Sequence, residues 1–385
     1  MIETESGNRR RLQLASFASA FDRFAMPPML IAIAHDLHVP LSHVVGAASA
    51  YFLIYGLMQP IWGLISNRIG LAATIRWCTL AGSLATISAA WVNDITTLAI
   101  ARAIAGAFFS ASIPSALIYV GETAPPTNRH REVTQLMTGV ALGTALSTAT
   151  AGSITEFAGW RWAFAITGCI GIISSLYISK LVELPRVSFR DPFVSPVVTV
   201  LKSRPVLTLL TLAVIDGAAI LGVLTFIPAA VESTGRNAAV AAGVTATYGI
   251  AVLLGARVVG QLSQTISRSR FILGGALIGA VACVLLALSP NLLVVVIACL
   301  LLGACWASMH SSLQAWATEV LPKFRSITVS FFAGSLFAGS ALAAALGGPL
   351  AQNHAYGALF IRGSILLIII GIGGSIARQR WEKKA

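Results

Sequence analysis

Charge is what this sequence has least of. Only 10% of its 385 residues are charged, and just 14 are acidic. A soluble domain carries about 25%, so the shortage excludes a water-coated globule. Cysteine is sparse too: Cys78, Cys169, Cys283, Cys299 and Cys305 all sit inside apolar blocks, and none forms a CxxC pair. That spacing offers neither a zinc site nor a disulfide framework. There is no HExxH, no G-x-S-x-G and no G-x-x-x-x-G-K-[ST], which argues against a zinc hydrolase, a serine hydrolase and an ATP-driven pump. The alternation of membrane-barrel strands is also missing.

What is present is apolar: 56% of the residues, with a mean hydropathy of +0.83. They fall into twelve blocks of about twenty residues, the length that crosses a bilayer as a helix. The opening "MIETESGNRRRLQLASF" lacks a small-residue cleavage pattern, so the first block reads as a retained span. The net charge of +12 is distributed by side. Twenty of the 26 Lys and Arg fall in one alternate set of connecting segments; the opposite set holds only Arg161 and Arg236. By the positive-inside rule both termini are cytoplasmic, the chain is multi-pass in the cell membrane, and its basic residues mark orientation rather than a nucleic-acid partner. The longest connector is rich in proline and basic residues. It divides the chain into an N-terminal bundle (1–182), a linker (183–204) and a C-terminal bundle (205–385).

Shifting the sequence by 197 places Gly63 on Gly260, Gly106 on Gly303, Ser115 on Ser312 and Glu122 on Glu319, and brings Asp22 within one helical turn of Asp216. The expected fold is therefore an all-α membrane protein of twelve helices in two six-helix halves related as parallel repeats.

"GLISNRIG" (63–70), the Arg102 and Gly106 of "LAIARAIAGAFFSASIP", and "GWRWAF" (159–164) together resemble the major facilitator superfamily over essentially the whole chain. The general shape is most similar to its twelve-helix drug:proton antiporters. Asn67 replaces the family's loop aspartate, and of the antiporter signature, falling on Ser147, Thr148, Ala151 and Gly152, only the last glycine survives. The resemblance implies alternating access, a monomer, a small-molecule substrate and no cofactor.

Charges within spans are costly and mark function. Asp22, Arg102 and Asp216 are the candidates for proton coupling, with Arg102 as electrostatic partner of Asp22; a fixed ion pair joining the first and fourth helices is the plainer account. Arg23, Tyr51, Tyr55, Phe226, Arg257, Trp306 and His310 are candidates for the substrate cavity. Gly63, Asn67, Arg68, Gly70, Glu122 and Glu319 are candidates for the cytoplasmic gate. The two glutamates are expected to pair with nearby arginines, Arg129 or Arg131 and Arg325. His35, Asp36, His38 and His43 fit no compact metal-ligand motif and read as interfacial loop residues. The expected function is proton-coupled export of small amphipathic compounds or metabolites. Uptake of a small organic anion is the alternative, and a membrane sensor or embedded enzyme a remote one.

Overall fold

The computed structural model describes residues 2–124, 129–184, 194–263 and 265–383; side chains at 2–6, 67, 129–131, 134, 194–196 and 326 lie outside the description. The expectation for Asn67 concerns its side chain and falls there, as do the expected partners of Glu122. Among the described residues there is no strand.

Among the described residues twelve long helical segments follow one another: α1 Gly7–Asp36, α2 Leu41–Ile69, α3 Leu71–Ser88, α4 Ile95–Thr123, α5 Arg129–Ala158, α6 Trp160–Ile178, α7 Arg204–Glu232, α8 Ala238–Leu262, α9 Arg268–Leu288, α10 Leu292–Glu319, α11 Arg325–Gln352 and α12 Tyr356–Glu382. Ten contain stretches apolar enough to cross a membrane; α3 and α5 are the exceptions. These two are long enough but rich in Thr, Ser and Gly, a composition that suits helices packed on protein rather than on lipid. The linker also holds a short helix, Val194–Lys202.

Packing repeats between the halves. In the first, α1 lies on α5, α2 on α4 and α3 on α6; in the second, α7 lies on α11, α8 on α10 and α9 on α12. The halves meet along two seams, α2 with α11 and α5 with α8. Glycine permits the first. A Cβ on Gly56 would come within 2.7 Å of the Gly334 carbonyl oxygen, so the α2 and α11 backbones touch directly. Leu254, Val258, Leu346 and Ile372 are among the many apolar side chains left exposed on the outside, as lipid contact requires. Trp91, Phe157 and Trp162 are exposed near the end opposite the termini, where an aromatic belt is expected.

Four helices are irregular, and they correspond between halves. α1 tightens to a 3-10 turn at Pro27–Met29, and α4 breaks between Phe109 and Ser112. α7 widens to a π-helix at Gly217–Gly222, and α10 does so at Trp306–His310. At α4 the start is fixed by Asp94, whose carboxylate accepts from the Thr97 N–H and hydroxyl. These bonds hold its carboxyl below the usual carboxylate range.

The polar end of "GLISNRIG" is helical: α2 continues through Ile69, and the reversal is confined to Gly70, with φ +106°. The Glu183 carboxylate covers Gly70 and accepts from the N–H groups of Ala72 and Ala73. It thereby satisfies free donors at the start of α3, where a negative charge is also favoured by the helix dipole.

A cavity between the halves and two buried ionisable pairs

Within each half two of the irregular helices meet, and one carboxylate finds its partner on the other helix. In the first half Arg102 grips Asp22 with two parallel bonds, Nη1 to Oδ1 at 3.0 Å and Nη2 to Oδ2 at 3.1 Å. Arg102 Nη2 also donates to the Asp22 carbonyl oxygen, and the Thr86 hydroxyl donates to Oδ1 at 2.5 Å. The guanidinium lies over the Tyr51 ring, 4.4 Å from its centroid, with Phe164 on another side. Both residues are fully buried. Two-toothed geometry of this kind is the strong form of the Arg–carboxylate contact.

In the second half His310 Nδ1 stands 2.6 Å from Asp216 Oδ2. Asp216 is fully buried and His310 nearly so. Asp216 Oδ1 has no hydrogen-bond partner among the described residues. The imidazole stacks on Trp306 at a centroid distance of 3.7 Å and tilts against Phe332. Asp216 immediately precedes the π segment of α7, and His310 ends that of α10. Such widened turns recur at functional sites. Close approach supports the arrangement: Gly217 lies against the Leu336 carbonyl and Gly339 against the Val214 carbonyl, leaving no room for a Cβ on either.

Beside the second pair, with His310 in its wall, lies a cavity of about 220 Å³. Its wall includes Arg23, Tyr248, Trp306, His310, Phe332 and Phe337, and it extends through Gln59, Met137 and Gln314 toward the end that carries the termini. The opposite end is shut. There the Glu156 carboxylate of α5 accepts from the Ala238 N–H that begins α8, and Gln352 of α11 accepts from the Ser42 N–H of α2.

The sequence candidates divide around this cavity. Arg23, Trp306 and His310 line it. Tyr51, Tyr55 and Phe226 do not: they are fully buried in packing, Tyr51 against Arg102, Tyr55 with its hydroxyl on Ser19, and Phe226 against Gly347. Arg257 is exposed on the outer face of α8 between Leu254 and Val258, because its position on the helix turns it from the bundle. Arg23 carries the cavity's fixed charge. It is 7% exposed and forms no salt bridge among the described residues; its surroundings are the Tyr55 hydroxyl at 3.5 Å and the rings of Phe24, Tyr55 and Phe337.

The gate candidates separate too. Gly63 abuts Ser330 of α11, a contact between halves, and Arg68 and Glu122 are exposed. Glu319 pairs with Arg268 and Arg378 rather than with Arg325, which instead donates to the Thr318 carbonyl. Glu319 therefore ties α9, α10 and α12 within one half. Asp36 is not a free loop residue: it accepts from Trp160 and Arg161, the "WR" of "GWRWAF". Among the described residues no group of His, Cys, Asp and Glu could hold a metal.

Sequence reasoning missed Thr86, Glu156, Glu183, Arg268 and Arg378 as partners, and it named Asp216 and His310 without pairing them. A polar residue in an apolar block was the available signal for Thr86; the others sit at helix ends, where polarity is ordinary.

A model of the Major Facilitator Superfamily matches residues 12–256 and 217–380. The chain belongs to the major facilitator superfamily. It is similar to the uncharacterized MFS-type transporter YfhI of Bacillus subtilis, 21% identical over 383 residues that cover 97% of this chain and 94% of that one. It also resembles a D-galactonate transporter of Escherichia coli, 31% identical over 140 residues covering 36% of this chain and 33% of the relative. Among solved structures, a bacterial homologue of the human lysosomal transporter Spinster, inward-facing and unoccupied, matches with a TM-score of 0.79 at 16% identity, covering 99% and 98% of the two chains. That likeness concerns the fold. Membership of this superfamily makes the chain a multi-pass membrane transporter of small molecules rather than an enzyme.

Proposed function

We propose that this facilitator carries a small organic anion with an apolar body, coupled to protons, across the cell membrane. The observation that supports the substrate class is Arg23: a guanidinium at the cavity wall, nearly buried, with no carboxylate facing it among the described residues. A charge held that way is costly unless a partner arrives. Asp22 is not that partner, since Arg102 already neutralises it. An anionic substrate would complete the site, with its apolar part against Trp306, Phe332 and Phe337. The relative that carries D-galactonate, an organic anion, agrees with the negative charge in this reading.

With the termini cytoplasmic, as the distribution of Lys and Arg implies, the structure is inward-facing. The halves 1–182 and 205–385 would rock about the cavity, releasing Glu156 from Ala238 as the outer end opens. The contact between Gly63 and Ser330 belongs to the seam that moves.

The sequence ranked export of amphipathic compounds or metabolites ahead of anion uptake; an Arg23 with no carboxylate partner among the described residues reverses that order. Export remains the second reading because the wall is aromatic and mostly apolar. Proteoliposomes decide between them. Aromatic and aliphatic carboxylates should move under an imposed pH gradient, and Arg23→Gln should lower that flux at least about tenfold, since a charge-assisted contact is worth about 1.5–3 kcal/mol. Flux of neutral or cationic amphiphiles, unaffected by Arg23→Gln, would instead establish the second reading.

A further inference from the structure

We infer that the Asp216–His310 pair, rather than Asp22–Arg102, is the proton-binding site of this transporter, and that a proton loaded there favours an anion at Arg23. The coupling half of this inference rests on the anion reading above; the proton site does not.

The two pairs differ in what a proton could find. Asp22 has both carboxylate oxygens and its carbonyl engaged by a cation that stays charged, with Thr86 closing the remaining approach. Protonating it would break the bidentate grip and leave Arg102 buried and unpaired. The Asp216–His310 pair has room. At 2.6 Å one proton must lie between Nδ1 and Oδ2. With Nδ1–H donating to the carboxylate, the other ring nitrogen is the acceptor of a second proton. The unpartnered Oδ1 shows that the carboxylate is not saturated. His310 is also on the cavity wall, so water that fills the cavity reaches the ring directly.

The proton balance is simple. The unloaded pair is a neutral imidazole and a carboxylate, with net charge −1. One proton taken from cavity water at the second ring nitrogen gives an imidazolium and a carboxylate, with net charge zero. In a poorly screened interior that step removes an uncompensated charge. Across the cavity it also changes what an anion meets. Before loading, the negative pair offsets Arg23 and repels an incoming carboxylate; after loading, Arg23 acts alone. Proton and anion therefore favour each other's binding, and by linkage each does so equally.

The neighbouring ionisable groups do not supply a rival. Tyr248 of α8 lies within electrostatic reach of both Asp216 and Arg23, and Cys305 of α10 within reach of Asp216 and of Cys283 on α9. These are phenol and thiol groups, neutral in this setting. The other charged groups of α9 are Arg268 and Arg270, at its far end, and that of α11 is Arg325, also at the far end. On α12, Arg362 is exposed and Arg378 is held by Glu319 and Glu382.

The stack of His310 on Trp306 provides a readout that needs no substrate. In the purified full-length protein, the fluorescence difference between wild type and Trp306→Phe should titrate with pH, as the imidazolium quenches the indole. The titration should vanish in His310→Gln, and its midpoint should move in Asp216→Asn. A flat Trp306 signal, a titration that survives His310→Gln, or a midpoint indifferent to Asp216→Asn would overturn the proton site. Benzoate then tests coupling: wild-type protein should bind it about tenfold more tightly once the pair is loaded, and His310→Gln should erase that dependence. Benzoate affinity equal at all pH values would overturn the coupling. Failure of benzoate and related carboxylates to bind at any pH would overturn the anion reading and with it the coupling, leaving the proton site to be judged by fluorescence.

Discussion

The two halves solve the same structural problem with different chemistry. Each carries a carboxylate on its first helix, α1 or α7, and answers it from its fourth, α4 or α10. In the first half the answer is an arginine: permanently charged, bidentate, supported by Thr86 and set away from the cavity. In the second half it is a histidine, joined at one atom, with a carboxylate oxygen left over and the ring on the cavity wall. The helices diverge accordingly. The first half bends at Pro27 and breaks after Phe109, while the second widens both helices into π turns at the pair itself. An ion pair with every oxygen satisfied holds helices together. A pair with a spare site and access to water can change state. On the proposed reading, the repeat supplies one half as frame and the other as switch.

Stability gives the sharpest way to break this comparison. Arg102→Ala leaves Asp22 buried without its cation and should cost about 3–5 kcal/mol, read as a large drop in thermal unfolding temperature in detergent. Asp216→Asn keeps the shape and a hydrogen-bonding group, so its cost should stay near about 1 kcal/mol. Equal losses at the two sites would erase the distinction between frame and switch. A smaller effect concerns the closed end. Glu156→Gln removes the charge that sits on the start of α8, a contribution of about 0.3–1 kcal/mol. Spin labels on the outer ends of α5 and α8 should then report a larger fraction of separated distances; an unchanged distribution would mean that the contact does not bias the gate.

The positions of the membrane helices were legible because a helix in lipid must be long and apolar whatever its neighbours do. The repeat was legible for a related reason: Gly106 and Gly303 recur at one offset because each lets its helix approach a backbone carbonyl, that of Tyr51 and that of Tyr248. The Asp216–His310 pair was not. The two residues are 94 apart in the chain, and nothing in either neighbourhood names the other. Arg257 illustrates the same limit from the other direction. Its charge within a span suggested the cavity, yet a position a few residues away on the helix would have faced a different medium. Tyr51 and Tyr55 met the compositional expectation of an aromatic wall and were instead spent on packing around Arg102 and Ser19.

The sequence by itself determined that this chain lies in a membrane, as twelve helices in two related halves, with a few ionisable groups too costly to be accidental. Only the tertiary structure decided which of those groups meet, which face water and which face lipid. The reason is physical: hydropathy is a property of each segment summed along the chain, whereas the state of a buried charge depends on the partner within 3 Å of it, and that partner comes from a different helix.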